Sequence, residues 1–125
     1  FPWESEEDFK ETYDLIKDCE ISKVHAFPFS WHNYWEEVPA WKFPNQIDNK
    51  TKKNRMWEIM NIADQTRDEF IDRNIGKTFE VLIEVVKEEG KWSGWTQNYI
   101  EADETTFKIT SGIIERNQIV TGILK

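Results

Sequence analysis

Phe79-Glu80-Val81-Leu82-Ile83-Glu84-Val85-Val86 is the stretch whose reading decides the fold. Phe79, Val81, Ile83 and Val85 alternate with Glu80, Leu82, Glu84 and Val86. Successive side chains of a strand point to opposite faces, so this period of two predicts a strand, not a helix. Downstream, Gly90 and Gly94 punctuate turns, and Trp95-Thr96-Gln97-Asn98-Tyr99-Ile100 is rich in β-formers. Phe107-Lys108-Ile109, Ile113-Ile114 and Gln118-Ile119-Val120-Thr121-Gly122-Ile123-Leu124 follow. About five short strands with turns between them predict a five-stranded barrel of the OB type over 74–125.

Upstream the period changes. Between Ile47 and about Asn74 there is no Gly or Pro, and Ile59, Ile62, Ala63, Phe70 and Ile71 fit one apolar helix face. This predicts a helical connector over 47–73. Residues 30–46, with Pro39 and Pro44, read as loop. Ser5 followed by Asp8 is a helix start, and Phe9, Tyr13 and Ile16 recur at i, i+4, i+7, predicting a helix over 5–18. Val24-His25-Ala26-Phe27, bounded by Pro28, reads as a buried strand of a parallel sheet. Helix then strand is a piece of an α/β layer, here 1–46. The expected class is α+β.

The chain has 24 acidic and 16 basic side chains, a net charge of −8. Uniform acidity is a poor start for nucleic-acid binding, because phosphate contacts need Lys and Arg. The acid is concentrated at the front: residues 1–30 hold eight acidic and three basic side chains. The remainder can still meet RNA locally. The single cysteine, Cys19, excludes an internal disulfide and fits a reducing, cytoplasmic compartment. No apolar run approaches the ~18 residues of a membrane span. The chain opens at Phe1-Pro2 without a Met and reads as a fragment.

His25 and His32 are seven apart with no Cys beside either, so no metal-ligand set is legible, and no catalytic residue is assigned. A histidine in an apolar run is more often a core residue than a ligand, and Cys19 at a helix end is more often a packing residue than a nucleophile. Glu6, Glu7 and Asp8 complement a helix N-terminus. Lys50, Lys52, Lys53 and Arg55 cluster on the connector. A solvated helix face is the default reading, and an RNA-facing patch the sharper one. Small barrels of this type bind RNA by stacking bases on exposed aromatics. On a regular strand Trp95 and Tyr99 share a face with Gln97. Core packing is at least as good a reading for Tyr99, and Trp95, beside Gly94, is the better candidate for exposure.

Phe1-Pro2-Trp3-Glu4-Ser5-Glu6-Glu7-Asp8-Phe9 resembles the F-P-G-E-T-E-E-D-F stretch of the radical-SAM methylthiotransferases, and Val24-His25-Ala26-Phe27-Pro28-Phe29-Ser30 resembles their sixth barrel strand. Arg67-Asp68-Glu69-Phe70 and Ile75-Gly76-Lys77-Thr78-Phe79-Glu80-Val81-Leu82-Ile83-Glu84 resemble the entry into their C-terminal TRAM domain. Gly94-Trp95-Thr96-Gln97-Asn98-Tyr99-Ile100 resembles the TRAM segment G-Y-T-x-N-Y-I. Each motif is weak alone; their correct order over nearly the whole chain is not. The resemblance implies the end of a radical-SAM barrel, a connector and a TRAM barrel that binds tRNA. It favours the branch that methylthiolates threonylcarbamoyl-adenosine next to the anticodon. Branches acting on isopentenyl-adenosine or on a ribosomal-protein aspartate are the alternatives. It also implies S-adenosylmethionine and two 4Fe-4S clusters, held by Cys thiolates in an upstream portion of the enzyme, so this segment alone would bind none of them and be inactive. By the same carry-over Pro2, Trp3, Glu4, Phe27 and Phe29 lie near the cofactor mouth. Lys77, Trp95, Thr96, Asn98 and Tyr99 face tRNA, with Lys50, Lys53 and Arg55 as the basic patch.

Seven tryptophans, at 3, 31, 35, 41, 57, 92 and 95, accompany only five glycines. Trp3, Trp31, Trp35 and Trp41 fall in turn-like surroundings, and the family has Gly where Trp3 stands. Glycine tolerates φ > 0 and a bulky residue does not. At least these four are read as UGA codons that the source organism translates as glycine; Trp57 and Trp92 stay open, and Trp95, which aligns with an aromatic, is read as genuine. Two readings outside the enzyme family compete: a stand-alone OB-like RNA-binding module, and an aromatic carbohydrate- or peptide-binding surface built from genuine tryptophans.

Overall fold

The computed structural model describes residues 1–30 and 39–125, with Trp41 described by its backbone alone. Two helices, α1 (Glu6–Asp18) and α2 (Asn49–Asp72), precede five strands: β1 (Thr78–Val86), β2 (Trp92–Thr96), β3 (Glu101–Asp103), β4 (Phe107–Ser111) and β5 (Ile119–Leu124). The class is α+β. The chain divides into two units, Phe1–Asp68 and Glu69–Lys125, with the boundary inside α2. No described helix is long and apolar enough to cross a membrane.

In the first unit α1 starts where its capping residues dictate. The Asp8 amide donates to Ser5 Oγ at 3.1 Å, and the Ser5 amide donates back to Asp8 Oδ2 at 2.8 Å. This reciprocal box satisfies two helix-end donors, and losing such a cap costs about 1 kcal/mol. Phe9 and Ile16 of α1 are buried with Ile59 and Ile62 of α2, and Tyr13, Ile21, Val24 and Ala26 pack partly against them. The Thr66 hydroxyl donates to the Ile21 carbonyl at 2.8 Å and holds the post-helix segment on α2.

Three expectations for this unit are corrected. Val24–Phe27 forms no strand. A parallel strand needs neighbours on both sides, and this unit offers none among the described residues. The segment alternates instead, with Val24 and Ala26 half-buried while His25 and Phe27 face solvent. His25 is therefore no core histidine. Cys19 caps α1 and is exposed, so it is no packing residue.

The second unit is one antiparallel sheet in the order β3-β2-β1-β5-β4. Its core is Val81, Ile83, Trp92, Ile100, Ala102, Phe107, Val120 and Leu124, with Phe70, Ile71, Phe79 and Ile109 packed against it. Strands β3 and β4 sit at opposite edges, yet only Glu104, Thr105 and Thr106 separate them in sequence. In a flat sheet four spacings would part them by about 19 Å, whereas the chain from Asp103 to Phe107 reaches at most about 14 Å. The sheet must curl towards a barrel, and β3 and β4 meet at its seam without pairing.

The expected strands need three adjustments. The alternation of β1 puts Phe79, Val81 and Ile83 inward, but the register then shifts between Ile83 and Val85. That bulge reverses the face, and Val85 is exposed. The expected strand 95–100 ends at Thr96 and turns into β3, which the sequence pattern did not reveal. Ile113 and Ile114 lie in no strand and are exposed in the connection from β4 to β5.

Candidate functional site

Directly opposed residues of an antiparallel pair project from the same face. Ile119 of β5 opposes Leu82 of β1, Leu82 opposes Trp95 of β2, and Trp95 opposes Glu101 of β3. Their chain neighbours Val81, Thr96 and Val120 are buried, so this row lies on the outer face. Ile119 is 62% exposed, Leu82 42%, and Trp95 half-buried. With Glu80, Thr96 and Gln97 they line a shallow depression of about 270 Å³. The site thus offers an indole and two aliphatic side chains flanked by the carboxylates of Glu80 and Glu101. Leu82 and Ile119 escaped the sequence reading, although Leu82 is apolar and out of phase with Val81 and Ile83, which is the signal of an outward apolar residue.

The turn after β2 shapes one end of this face. Thr96 is buried; its Oγ1 accepts from the Ile100 amide at 2.9 Å and donates to Asn98 Oδ1 at 2.6 Å. The Tyr99 amide donates to the Thr96 carbonyl at 3.1 Å. Tyr99 takes a left-handed φ of +65° and its side chain is 69% exposed, not packed in the core. Thr96 and Asn98 therefore build the turn, while Trp95 and Tyr99 present rings. Lys77, at the foot of β1, is exposed, does not line the depression, and bonds Asn74 Oδ1 at 3.2 Å.

At the β3–β4 seam Asp103 Oδ1 accepts from the Thr105 amide and hydroxyl at 2.8 and 2.6 Å and from the Thr106 amide and hydroxyl at 2.8 and 2.9 Å. The Thr105 hydroxyl above all, with the Thr106 donors, holds the carboxyl pKa down at about 2 against the opposing effect of burial.

The remaining predicted residues lie in the first unit. Lys50 and Lys53 are exposed on α2. Arg55 is only 8% exposed and does not join them. Its Nη1 donates to Glu4 Oε2 at 2.8 Å and to the Glu4 carbonyl at 3.0 Å, its Nη2 to Glu6 Oε1 at 2.5 Å, and its guanidinium lies 5.2 Å from the Phe9 ring centroid. Burial by itself lowers the Arg55 pKa, but the Glu6 and Glu4 carboxylates outweigh it and the net shift is upward. Pro2 is buried. Trp3 is exposed at φ +67° and stacks on Phe43 at 5.5 Å. Glu4, Phe27 and Phe29 share the lining of one recess of about 130 Å³ with Lys52 and Arg55. Trp31 and Trp35 fall outside the described residues.

The resemblance calls for S-adenosylmethionine and iron–sulfur clusters. A carboxylate and aromatic rings suit one end of the former, although whole small-molecule sites span about 300 Å³ or more. The clusters do not fit this chain, because cluster ligands are thiolates and it has one cysteine. Among the described residues no three His, Cys, Asp or Glu side chains gather as a metal site.

No family model matches the chain. Individual relatives do. It is 35% identical over 111 residues to ribosomal protein uS12 methylthiotransferase RimO of Clostridioides difficile (strain 630), covering 89% of this chain and 24% of that protein. It is 31% identical over 118 residues to threonylcarbamoyladenosine tRNA methylthiotransferase MtaB of Bacillus subtilis (strain 168), covering 91% and 25%. To tRNA-2-methylthio-N(6)-dimethylallyladenosine synthase of Campylobacter jejuni (strain RM1221) it is 33% identical over 98 residues, covering 78% and 22%. The chain thus spans about a quarter of the curated relatives it matches.

Proposed function

Because the chain is a sequence relative of the methylthiotransferases over most of its own length, we propose that it is the C-terminal, substrate-holding part of such an enzyme. In this reading residues 1–46 close a radical-SAM barrel, 47–73 connect, and 74–125 form a TRAM module that binds tRNA. The modified nucleoside is threonylcarbamoyl-adenosine beside the anticodon. S-adenosylmethionine and the clusters are held mainly by the upstream portion of the same enzyme and supply its radical chemistry. What this chain does is bind and orient the substrate.

The observation that carries the reading is the outer-face Ile119–Leu82–Trp95 row, with the exposed Tyr99 ring in the turn that follows β2. An exposed aromatic on a sheet face stacks bases at about 1–3 kcal/mol per base. The test titrates the full-length protein, and its Trp95→Ala variant, with the anticodon stem-loop of a tRNA carrying threonylcarbamoyl-adenosine. Stacking predicts about tenfold or greater weakening in the variant. Equal affinities would remove Trp95 from the RNA surface.

A second reading is favoured by the charge of the same face. Glu80 and Glu101 flank the row, and carboxylates repel phosphate but attract a basic polypeptide. Several relatives are named for ribosomal protein uS12. Binding of uS12 protein with none of the stem-loop would put this reading in place of the first.

A further inference from the structure

Trp3 occupies a left-handed backbone conformation that costs an L-residue roughly 1–2 kcal/mol. Several local contacts offset part of this: the Glu4 amide donates to the Phe1 carbonyl at 3.1 Å, the Trp3 amide to the Asn45 carbonyl at 3.1 Å, the Trp3 ring stacks on Phe43, and the N-terminal ammonium lies 3.6 Å from Glu4 Oε2. The strongest grip comes from α2. One Arg55 side chain takes both the backbone carbonyl and the carboxylate of Glu4, and its second amino group takes Glu6 in the first turn of α1. Phe9 covers the guanidinium, so Arg55 holds Glu4 from a buried position, while the Glu6 carboxylate at the other end of the fork faces solvent.

We propose that Arg55 is a positioning residue: from α2 it fixes the Trp3–Glu4 turn, and with it the Glu4 wall of the recess shared with Phe27 and Phe29. This rests on the reading of that recess as one end of the S-adenosylmethionine site. Arg55 also lines this recess, but both of its amino groups are taken by Glu4 and Glu6, so in this scheme it acts on the ligand through Glu4. It removes alternative placements of Glu4, so a ligand need not order the turn on binding. Lysine cannot take its place, because one ammonium on a flexible stem cannot reproduce a planar fork aimed at three oxygens.

The test uses the full-length protein with Arg55→Lys, Arg55→Met and Glu6→Gln. Amide exchange is followed at Trp3 and Glu4, at the Phe9 and Ile62 core, and in the β-sheet. S-adenosylmethionine affinity is measured by equilibrium dialysis. In Arg55→Lys the Trp3 and Glu4 amides are expected to exchange about tenfold faster while core and sheet stay protected. The dissociation constant should rise about tenfold. Glu6→Gln, which leaves both bonds to Glu4, should do much less of either. If Arg55→Met unfolds the first unit, Arg55→Lys still decides. Unchanged exchange at Trp3 and Glu4, or loss of protection throughout the unit together with the turn, would overturn the assignment. If the unaltered protein binds no S-adenosylmethionine, the cofactor reading of the recess fails, and the exchange arm alone judges the clamp.

Discussion

The Leu82 carbonyl oxygen lies 2.1 Å from where a Cβ on Gly94 would stand. Gly94 pairs with Ile83 at the point where β1 bulges, so the two backbones approach there more closely than any side chain permits. The obstruction is backbone, which cannot swing aside as a flexible side-chain end would. Gly94→Ala should therefore destabilise the second unit by about 3 kcal/mol, the upper range for overpacking. It should also disturb Trp95, the next residue on the outer row. Urea unfolding of the chain measures the loss; a change within about 0.5 kcal/mol, as at ordinary surface sites, would contradict the close approach.

Thr96 separates shape from contact. Its hydroxyl is spent on Asn98 and the Ile100 amide inside the hairpin. Thr96→Val keeps the volume and leaves a buried amide poorly satisfied, which should cost about 1–3 kcal/mol. Under the proposed RNA reading, any loss of affinity should then track disorder of the Tyr99 turn, visible as faster exchange of the Tyr99 amide. Weaker RNA binding with an intact turn would instead give the Thr96 hydroxyl a direct contact.

Asp103 makes the seam between β3 and β4 sensitive to acid. Its folded pKa, about 2, lies below its ordinary 3.8, so its ionised form is favoured in the native state. The stability it contributes is fully present above about pH 5 and is lost as pH falls through about 4 towards 2. Asp103→Asn lacks that dependence. The stability difference between parent and variant should be constant from pH 7 to about 5 and shrink below about 4. Parallel pH profiles down to pH 2 would sink the assignment.

These residues also show what the sequence could and could not reveal. The strands β1, β4 and β5 and both helices were legible because each signal is local: alternation, a capping box, an apolar face. The second helix shows the limit. Its buried stripe runs Arg55, Ile59, Ile62, Thr66, and two of those four are polar, so hydrophobicity alone finds half of it. Arg55 reads as part of a basic cluster until Glu4 and Glu6, some fifty positions away, are folded against it. Val24–Phe27 failed for the complementary reason. Its β-character is real only beside partner strands, and nothing local reports whether those are at hand. At the candidate site Trp95 was found by motif, whereas Leu82 and Ile119 joined it only through cross-strand register.

Among the four tryptophans read as glycine positions, Trp3 has a geometry that tests the idea. Trp41 lies in the 3-10 turn Pro39–Lys42, which demands no glycine. Trp92 is a buried core residue, and nothing about it asks for glycine either. Among the described tryptophans only Trp3 combines a left-handed φ with an exposed side chain. Its stack on Phe43 complicates a simple replacement, because such a pair contributes about 0.5–1.5 kcal/mol and any small residue forfeits it. The informative comparison is between Trp3→Gly and Trp3→Ala. Both lose the stack, and only glycine is relieved of the φ penalty, so the glycine variant should be the more stable by about 1 kcal/mol. Thermal unfolding of the two variants measures this. Alanine equal to or better than glycine would mean the turn does not require φ > 0. The codon is an independent check: UGG at position 3 excludes recoding there, whereas UGA with glycine found in the corresponding peptide by mass spectrometry of native protein establishes it.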